Sequence, residues 1–468
     1  QTVERFEARF PGRVAVIHSR LPKAQHRRIW WGIKNGEFDV VVGSRSALFA
    51  PLDPLGLIVV DEEHEWTYKQ QDQEPRYHAR TVAMQIAQAS NAIVILGSAT
   101  PDIVTYHRAL QGRGLEILNL PYRVSGSSSM ASVSIVDMRK ELVDGNRSIF
   151  SHDLQAALRS VVKQGDQAIL FINRRGSAGV VQCRNCGYVV RCNSCELPMT
   201  YHDALARLIC HQCNRRSRLL TSCSDCGSGS IRFLGVGTQR VVSELSALIP
   251  EVSILRWDTD VGLDKTQEGV LERFRNGGAQ VLVGTQMVAK GLHIPTVTLV
   301  GAVLADLGMH LPDFRAEERI FQLLCQVVGR AGRGAKIGSA ILQTYKPDHY
   351  SISLAAEQTY NLFYKKEISF RKMLRMPPFS RLVRLMYSHA NEVKSRNAAV
   401  KLGGTLRREL AKSSMEIEII GPAPSYPPRS RGRYRWHILI RGQQPSLILE
   451  KISLDNGWVV DVDPVTVA

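Results

Sequence analysis

At 468 residues, with 44% hydrophobic and 22% charged residues, the chain has room for about three domains with proper cores, which excludes a disordered polymer or a small disulfide-stapled scaffold. No apolar run reaches the roughly 20 residues of a membrane span, and no stretch reads as a leader segment. A net charge of +17 favours a polyanionic partner, nucleic acid ahead of a membrane surface because no amphipathic anchor accompanies it.

Residues 1 to about 115 alternate short β-branched runs with amphipathic helical stretches. The runs at 14–18, 39–42, 57–61 and 93–96 have the pattern of buried parallel strands, and residues 79–89 read as a helix between two of them. An α/β doubly wound layer is expected, with its chemistry at the carboxyl ends of the strands. Three sets of residues stand there: Gly43-Ser44-Arg45-Ser46, Asp61-Glu62-Glu63-His64 and Gly97-Ser98-Ala99-Thr100-Pro101. A strand-terminal Asp-Glu suits nucleotide hydrolysis. Asp61 can hold Mg²⁺ through water, and Glu62 can orient or activate the water that attacks a γ-phosphate. The plain alternative is a set of acids capping the next helix; Ser98-Ala99-Thr100 on the following strand favours the catalytic role.

Between these two loops, Glu65-Trp66-Thr67-Tyr68-Lys69-Gln70-Gln71 and Arg76-Tyr77-His78 mix aromatic rings with cations. That composition suits stacking on unpaired bases and phosphate contact, with Arg45, Trp66, Tyr68 and Lys69 as candidates; a packed loop with buried rings is the alternative.

A flexible connector, Gly126-Ser127-Ser128-Ser129, precedes a second α/β layer that starts at residues 133–137. The strand 168–172 runs into Asn173-Arg174-Arg175-Gly176, and there a cysteine-rich stretch interrupts. Eight of the nine cysteines form four Cys-x-x-Cys pairs: Cys183/Cys186, Cys192/Cys195, Cys210/Cys213 and Cys223/Cys226. Two thiolates on a tight turn can face one ion, and two such pairs close a tetrahedral site, so four pairs make two zinc sites. A disulfide framework belongs to small secreted domains, and iron–sulfur ligation is a second rival. The knuckle residues Arg184-Asn185, Gly187 and Gly227 favour zinc. Each site contributes on the order of 10–16 kcal/mol of folding energy. Cys325 reads as a packed core thiol on a helix. After the insert the sheet is expected to resume at residues 231–238, with further strands at 253–257, 280–283, 298–304 and 340–343.

Two loops of this second layer carry chemistry. Gly284-Thr285-Gln286-Met287-Val288-Ala289-Lys290-Gly291 follows a buried strand and can contact phosphates and a nucleic-acid backbone, Lys290 among them. Gln326-Val327-Val328-Gly329-Arg330-Ala331-Gly332-Arg333-Gly334 ends a helix. Arg330 and Arg333, three apart, share a face on a helical turn and can clamp the γ-phosphate of a nucleotide held by the opposite lobe. The rival is a helix end where Arg complements the dipole; it accounts for Gly334 but not for the repeated Gly-Arg.

From about residue 351 the chain changes character. A helical stretch at 352–376 gives way to Pro377-Pro378, and strands at 382–387, 417–420 and 436–440 surround a helix at 398–410. Within it, residues 427–436 form a basic hairpin with interleaved aromatics, and Arg431 and Arg433 are candidates for contact with phosphates, bases or an acidic peptide. A solvated turn is the plain reading.

Taken together, Asp61-Glu62-Glu63-His64, Gly97-Ser98-Ala99-Thr100-Pro101, residues 284–291 and residues 326–333 resemble the helicase motifs of superfamily 2. Residues 43–49, Tyr68-Lys69-Gln70-Gln71, residues 76–80, Asn173-Arg174-Arg175-Gly176, the cysteine insert, Gly421-Pro422-Ala423-Pro424 and residues 460–464 are similar to the bacterial primosomal replication-restart helicases. The resemblance covers nearly the whole chain. It implies two RecA-like helicase lobes, the first incomplete (1–115) and the second at 116–350, a two-zinc insert at 181–230 and a small α+β C-terminal domain at 351–468.

The resemblance further implies a 3′-to-5′ DNA helicase that binds stalled forks and D-loops and helps reload the replicative helicase. Its cofactors would be ATP with Mg²⁺ and two Zn²⁺. Asp61, Glu62, Gly291, Gln326, Arg330 and Arg333 would meet the nucleotide. The zinc pairs would nest, Cys183/Cys186 with Cys223/Cys226 and Cys192/Cys195 with Cys210/Cys213. Its partners would be branched and single-stranded DNA, primosome proteins and the acidic tail of single-stranded-DNA-binding protein. The location would be the bacterial cytoplasm, at the nucleoid. One departure stands out: the sequence holds no Gly-x-x-x-x-Gly-Lys-Ser/Thr phosphate loop. The chain also opens on Gln1 in mid-helix, without the family's amino-terminal fork-binding domain, and is read as a piece of a longer protein that is inactive alone. A non-motor zinc-bearing scaffold and a zinc-bearing translocase acting on RNA are the rival readings. The presence of Asp61, Glu62, Arg330 and Arg333 together favours the motor.

Overall fold

Alternating β-branched and amphipathic segments become strands and helices in a computed structural model that describes residues 2–19, 21–121, 131–173, 181–194, 197–202, 206–233, 237–258, 267–285, 294–332 and 336–467. The chain divides into two compact units, Gln1–Gly114 and Leu115–Ala468.

In the first unit, helix α1 (Thr2–Glu7) leads into a parallel pair, β1 (Val14–Ile17) and β2 (Val40–Gly43), joined through α2 (Lys23–Lys34). A second parallel pair, β3 (Leu57–Val60) and β4 (Ile93–Leu96), is joined through α3 (Ala79–Ser90) and followed by α4 (Ile103–Leu110). Ile58 and Val60 pack on Ala83 and Ala87 of α3. The expectation of one layer of fully buried strands is corrected here. The two pairs are separate sheets, and β3 and β4 bury one face only. Leu57, Val59, Ile93 and Ile95 on the other face are 52%, 58%, 67% and 45% exposed. Side chains alternate across a strand, and α3 covers a single side.

The second unit is built on a six-stranded sheet. Its strands are β5 (Ser132–Asp137), β6 (Gln167–Phe171), β12 (Ile254–Trp257), β13 (Val281–Gly284), β14 (Val297–Ala302) and β15 (Ser339–Thr344), in the spatial order β12-β13-β6-β14-β15-β5. Every pairing is parallel. The central β6 is buried at all five positions, which is why it reads as an unbroken apolar run. Helix α5 (Met138–Val143) follows β5, and α6 (His152–Lys163), capped by the Ser151 hydroxyl accepting from the Leu154 amide at 3.2 Å, buries Leu154, Leu158 and Val161. Helix α7 (Thr238–Leu248) contributes Val241 and Leu245 to the same core, and α8 (Gln267–Arg275) precedes β13.

The cysteine-rich insert leaves the sheet beyond β6. It holds β7 (Val181–Cys183), the antiparallel strands β8 (Thr200–His202), β9 (Arg207–Ile209) and β10 (Arg216–Arg218), and β11 (Ile231–Phe233). The expectation that the main sheet resumes at residue 231 is not met. Instead β11 pairs antiparallel with β7, Ile231 opposite Cys183 and Phe233 opposite Val181. The two strands form a neck that closes the insert on itself, and the main sheet resumes only at β12.

Beyond the sheet, α9 (Ala316–Val328) and α10 (Tyr350–Ala356) lead to α11 (Tyr360–Met373). The single helix expected over 352–376 is broken by Gln358, whose φ of 55° stops the helical path. A four-stranded antiparallel sheet follows, built from β16 (Arg381–His389), β17 (Ile417–Ser430), β18 (Arg433–Gly442) and β19 (Trp458–Val462) in the order β17-β18-β16-β19, with α12 (Glu392–Ala411) against it. Arg431 and Gly432, with φ of 48° and 78°, make the two-residue turn between β17 and β18.

This part is joined to α9 by buried charge. Arg371 of α11, 2% exposed, donates to Glu367 at 2.8 Å and reaches across to Glu318 of α9 at 2.7 Å. Stacked rings at Phe321 and Phe363, 4.0 Å apart, lie on the same junction. Removing one partner of a buried pair leaves the others unmatched in low dielectric. Arg371→Met is therefore expected to cost about 3–5 kcal/mol in urea denaturation. Arg381→Met, which breaks an exposed pair with Asp463, is expected to cost no more than about 1 kcal/mol.

Candidate nucleotide-hydrolysis and metal sites

The carboxyl ends of β3 and β4 are stitched together by side chains. Asp61 is exposed and Glu62 half-exposed, while Glu63 is 1% exposed. The Glu63 amide donates to Gly97 O at 3.0 Å, and its carboxylate accepts from the Asp102 amide at 2.7 Å and from Arg80. Arg80 also lies 3.4 Å from Asp102 and donates to Thr105 Oγ1 at 2.6 Å. Burial, followed by the nearby Asp102 charge, pushes the Glu63 carboxyl up, against the opposing pull of Arg80. One residue on, His64 Nδ1 and Ser98 Oγ are 2.6 Å apart, and Ser98 Oγ accepts from the Thr100 amide at 3.0 Å.

These contacts fix the two loops on each other and leave Asp61 and Glu62 facing solvent. That is the division a hydrolytic site needs: two accessible carboxylates for ion and water on a loop that cannot drift. The third acid is the one that works as a cap, and it serves α4, whose Asp102 amide it binds. Sequence reasoning had Glu63 only within the plain helix-capping alternative and missed its partner Arg80. A surplus acid beside a functional Asp-Glu, with an Arg at the start of the next helix, is the signal that could have found them.

The loop after His64 is more committed to the fold than expected. Tyr68 donates its hydroxyl to Asp61 O at 2.7 Å, and Arg45 Nη1 donates to Thr67 O and Lys69 O at 2.9 and 2.7 Å. Lys69 is 3% exposed and Trp66 half-buried. Lys69, a candidate for nucleic-acid contact, is thus turned into the loop, while Tyr68 spends its hydroxyl and Arg45 its Nη1 on bracing it.

Of the second-unit candidates, Lys290, Gly291 and Arg333 lie outside the described residues. So do Arg174, Arg175 and Gly176, the part of that loop beyond Asn173, and the Gly126 to Ser129 connector. Gln326 is half-buried on α9. The helical placement of Arg330 is corrected. Helix α9 stops at Val328, and Arg330 sits in the following turn, its amide donating to Val327 O at 3.0 Å and its side chain 8% exposed. Gly332, at φ 69°, takes the chain away from any further helical turn. Cys325 is a packed thiol whose pKa burial pushes up to about 12. The hairpin arginines Arg431 and Arg433 are exposed. Arg429 lies over the Tyr434 ring at 5.1 Å, and Arg435 donates to Pro427 O at 3.1 Å through Nε.

The cysteines converge as two groups. Cys183, Cys186, Cys223 and Cys226 form one; Cys192, Cys210 and Cys213 form the other, with Cys195 outside the described residues. The sulfurs are 3.7 Å apart for Cys183 and Cys226, 3.5 Å for Cys186 and Cys223, and 3.6 Å for Cys192 and Cys213. A tetrahedral ion about 2.3 Å from each sulfur sets them about 3.8 Å apart, whereas a disulfide needs about 2.05 Å. The clusters can hold metal ions, and the nested grouping is the one the geometry makes.

Each knuckle repeats one backbone device. The first Cys of each pair donates its amide to the carbonyl five residues on: Cys183 to Tyr188, Cys192 to Leu197, Cys210 to Arg215 and Cys223 to Ser228, all at 2.8–2.9 Å. Wherever the residue after the second Cys is described it turns left-handed: Gly187 (φ 74°), Asn214 (φ 64°) and Gly227 (φ 70°). Donors then point at sulfur, as Asp225 N does to Cys223 at 3.4 Å and Asn185 Nδ2 to Cys226 at 3.6 Å. With the Ser228 amide first and Asn185 next, these bring the Cys226 thiol down to about 6.

The insert is seated at both ends. A Cβ on Gly187 would lie 2.5 Å from Tyr345 O, just past the end of β15. On the other side, His211 Nδ1 is 2.7 Å from Pro424 O of β17, and burial brings that imidazole down to about 4. Cys213 joins a core with Phe314, Met376, Leu382, Ile420 and Leu439.

Two family models match the chain: the helicase conserved C-terminal domain over residues 241–335, and the primosomal protein N C-terminal domain over residues 372–465. Replication restart protein PriA of Bacillus subtilis (strain 168) is 44% identical over 456 residues, which is 97% of this chain and 56% of that protein. The PriA of Synechocystis sp. is 40% identical over 484 residues, all of this chain and 58% of the relative. That of Treponema pallidum (strain Nichols) is 38% identical over 476 residues, all of this chain and 71% of the relative. The chain thus spans between about half and three-quarters of the length of these relatives.

Loss of a single ligand should separate the two clusters. Cys223→Ser is expected to remove one of two bound metal ions per chain and Cys210→Ser the other, counted by atomic absorption on purified protein. Loss of both ions from either variant would mean that the sites are not independent.

Proposed function

The chain belongs to the PriA family of replication restart helicases, and on that premise we propose that it carries motor and metal-binding parts of an ATP-dependent DNA helicase. The full-length protein would travel 3′ to 5′, bind stalled forks and D-loops, and assemble the primosome there. The observation that carries the reading is the stitched pair of loops, with accessible Asp61 and Glu62 held by His64–Ser98 and by Glu63.

In this reading Asp61 receives the Mg²⁺ that accompanies ATP, and Glu62 orients the attacking water and takes its proton. Gln326 and Gly291 contact the nucleotide, and Arg330 and Arg333 offset charge on the transferred phosphoryl group. The two cysteine clusters hold one Zn²⁺ each; thiolate ligands and tetrahedral spacing fit zinc, which supplies cross-linking and no redox chemistry. The exposed Arg431 and Arg433 take phosphates or the acidic tail of single-stranded-DNA-binding protein, and the protein works at the nucleoid with primosome partners. Among the described residues, no helix is long and apolar enough to cross a membrane.

Full-length protein with Glu62→Gln is expected to lose at least about 100-fold in DNA-stimulated ATP hydrolysis while still binding forked DNA. Unchanged hydrolysis in that variant would remove Glu62 from its role. The 468 residues contain no phosphate loop, so the chain alone is expected to show no ATP turnover above buffer in a phosphate-release assay. A full-length protein that binds forks and never hydrolyses ATP would favour the zinc-bearing scaffold instead.

A further inference from the structure

The helicase reading calls for a nucleic-acid contact on the first unit, and one cavity there fits. Residues 23, 26, 27, 30 and 31 recur at helical spacing, so Lys23, His26, Arg27, Trp30 and Trp31 share one face of α2. That face lines an open cavity of about 490 Å³, which His18, Ser19, Leu21 and Ser46 also line. The volume falls in the range of small-ligand sites, roughly 300–1,000 Å³, and has room for one nucleotide unit. No carboxylate lines it among the described residues.

The chemistry of the wall divides in two. Trp31 is 51% exposed, with Lys34 Nζ over its ring at 5.1 Å, and on the same helix His26 and Trp30 stack at 6.3 Å and 18°. A half-exposed indole with a cation beside it is a stacking platform for a base. Lys23 and Arg27, both exposed, stand one helical turn apart beside it, at the spacing of charges that follow a backbone.

We propose that this cavity holds a single-stranded nucleic-acid segment, with one base on Trp31 and its flanking phosphates on Lys23 and Arg27. The proposal deepens the helicase reading and rests on it. Stacking on one ring with point-charge contacts reads no base edge, so binding is indifferent to sequence, as a translocating protein requires.

The test uses full-length protein and fluorescein-labelled oligo(dT), read by anisotropy over a range of salt, with ATP hydrolysis measured on the same preparations. Trp31→Ala is expected to weaken binding about 5- to 150-fold, and Trp31→Phe to restore most of it. Lys23→Glu with Arg27→Glu is expected to flatten the log–log salt slope by about 1.4, the share of two phosphates on a single strand. The charge-matched control, Lys163→Glu with Lys451→Glu, is expected to keep the slope.

Wild-type affinity and slope in both α2 variants overturn the proposal, as does an equal loss in the control. Free dTMP competing as well as the oligonucleotide makes this a mononucleotide site, and loss of a labelled polyglutamate peptide with oligo(dT) retained makes it a protein-docking site; either result overturns it too. A wild type that hydrolyses ATP while its α2 variants bind normally defeats this proposal alone. One that neither hydrolyses ATP nor binds DNA defeats the helicase reading.

Discussion

A guanidinium taken out of water must keep its carboxylates, and each unit of this protein is arranged around one. In the first unit Arg80 holds Glu63 and Asp102; in the second Arg371 holds Glu318 and Glu367. Each buried ion costs several kcal/mol unless matched, so such a set tolerates little sliding. The consequence differs with location. Around Arg80 it fixes the strand ends on which Asp61 and Glu62 sit, so order is supplied from behind the exposed acidic surface. Around Arg371 it fixes α11 on α9, which makes the sheet of β16 to β19 a continuation of the parallel-sheet body.

The cysteine insert follows a similar logic with a different bond. Beside a small apolar cluster of Val181, Val190, Met199 and Leu208, it uses repeated turns whose amides close on backbone and aim at sulfur. Its neck, β7 with β11, hands the chain back close to where it left. Because the outer knuckle sits against Tyr345 and the inner one reaches Pro424 through His211, the insert touches both sheets of the second unit. A metal ion held by the cysteines would thereby bear on the seating of those sheets as well as on the local turns.

The parts legible in the sequence were those with short-range grammar. Cys-x-x-Cys spacing, an Asp-Glu pair at a strand end, and the β-branched runs of β6, β13 and β14 each follow from a few neighbouring residues. The nested pairing of the cysteines came from resemblance, and the sulfur distances carry it for the seven cysteines described. What escaped depended on contacts distant in sequence. Glu63 is defined by Arg80 and Asp102, 17 and 39 positions away. Lys69 looked available because nothing local showed that its loop would be pulled inward by Arg45. Strand β11, Ile231-Arg232-Phe233, reads as a strand of the main sheet because so short an alternating run is the same on a neck as on a sheet. Arg330 reads as helical from its spacing, but the helix stops at Val328 and the chain then turns left-handed at Gly332.

Three knuckles offer a comparison made by the protein itself. The position after the second cysteine needs a left-handed backbone, and Asn214 shows that a residue with a short polar side chain can supply it. Gly227 has open space where a Cβ would go, so asparagine could stand there as well. Gly187 answers two demands at once: the left-handed turn of its knuckle and clearance for the Tyr345 carbonyl. Asparagine meets the first and violates the second. Of these three sites, this one alone is irreplaceable on steric grounds, and the absence of one methyl group is what allows a cysteine knuckle to rest directly on the backbone at the end of the six-stranded sheet.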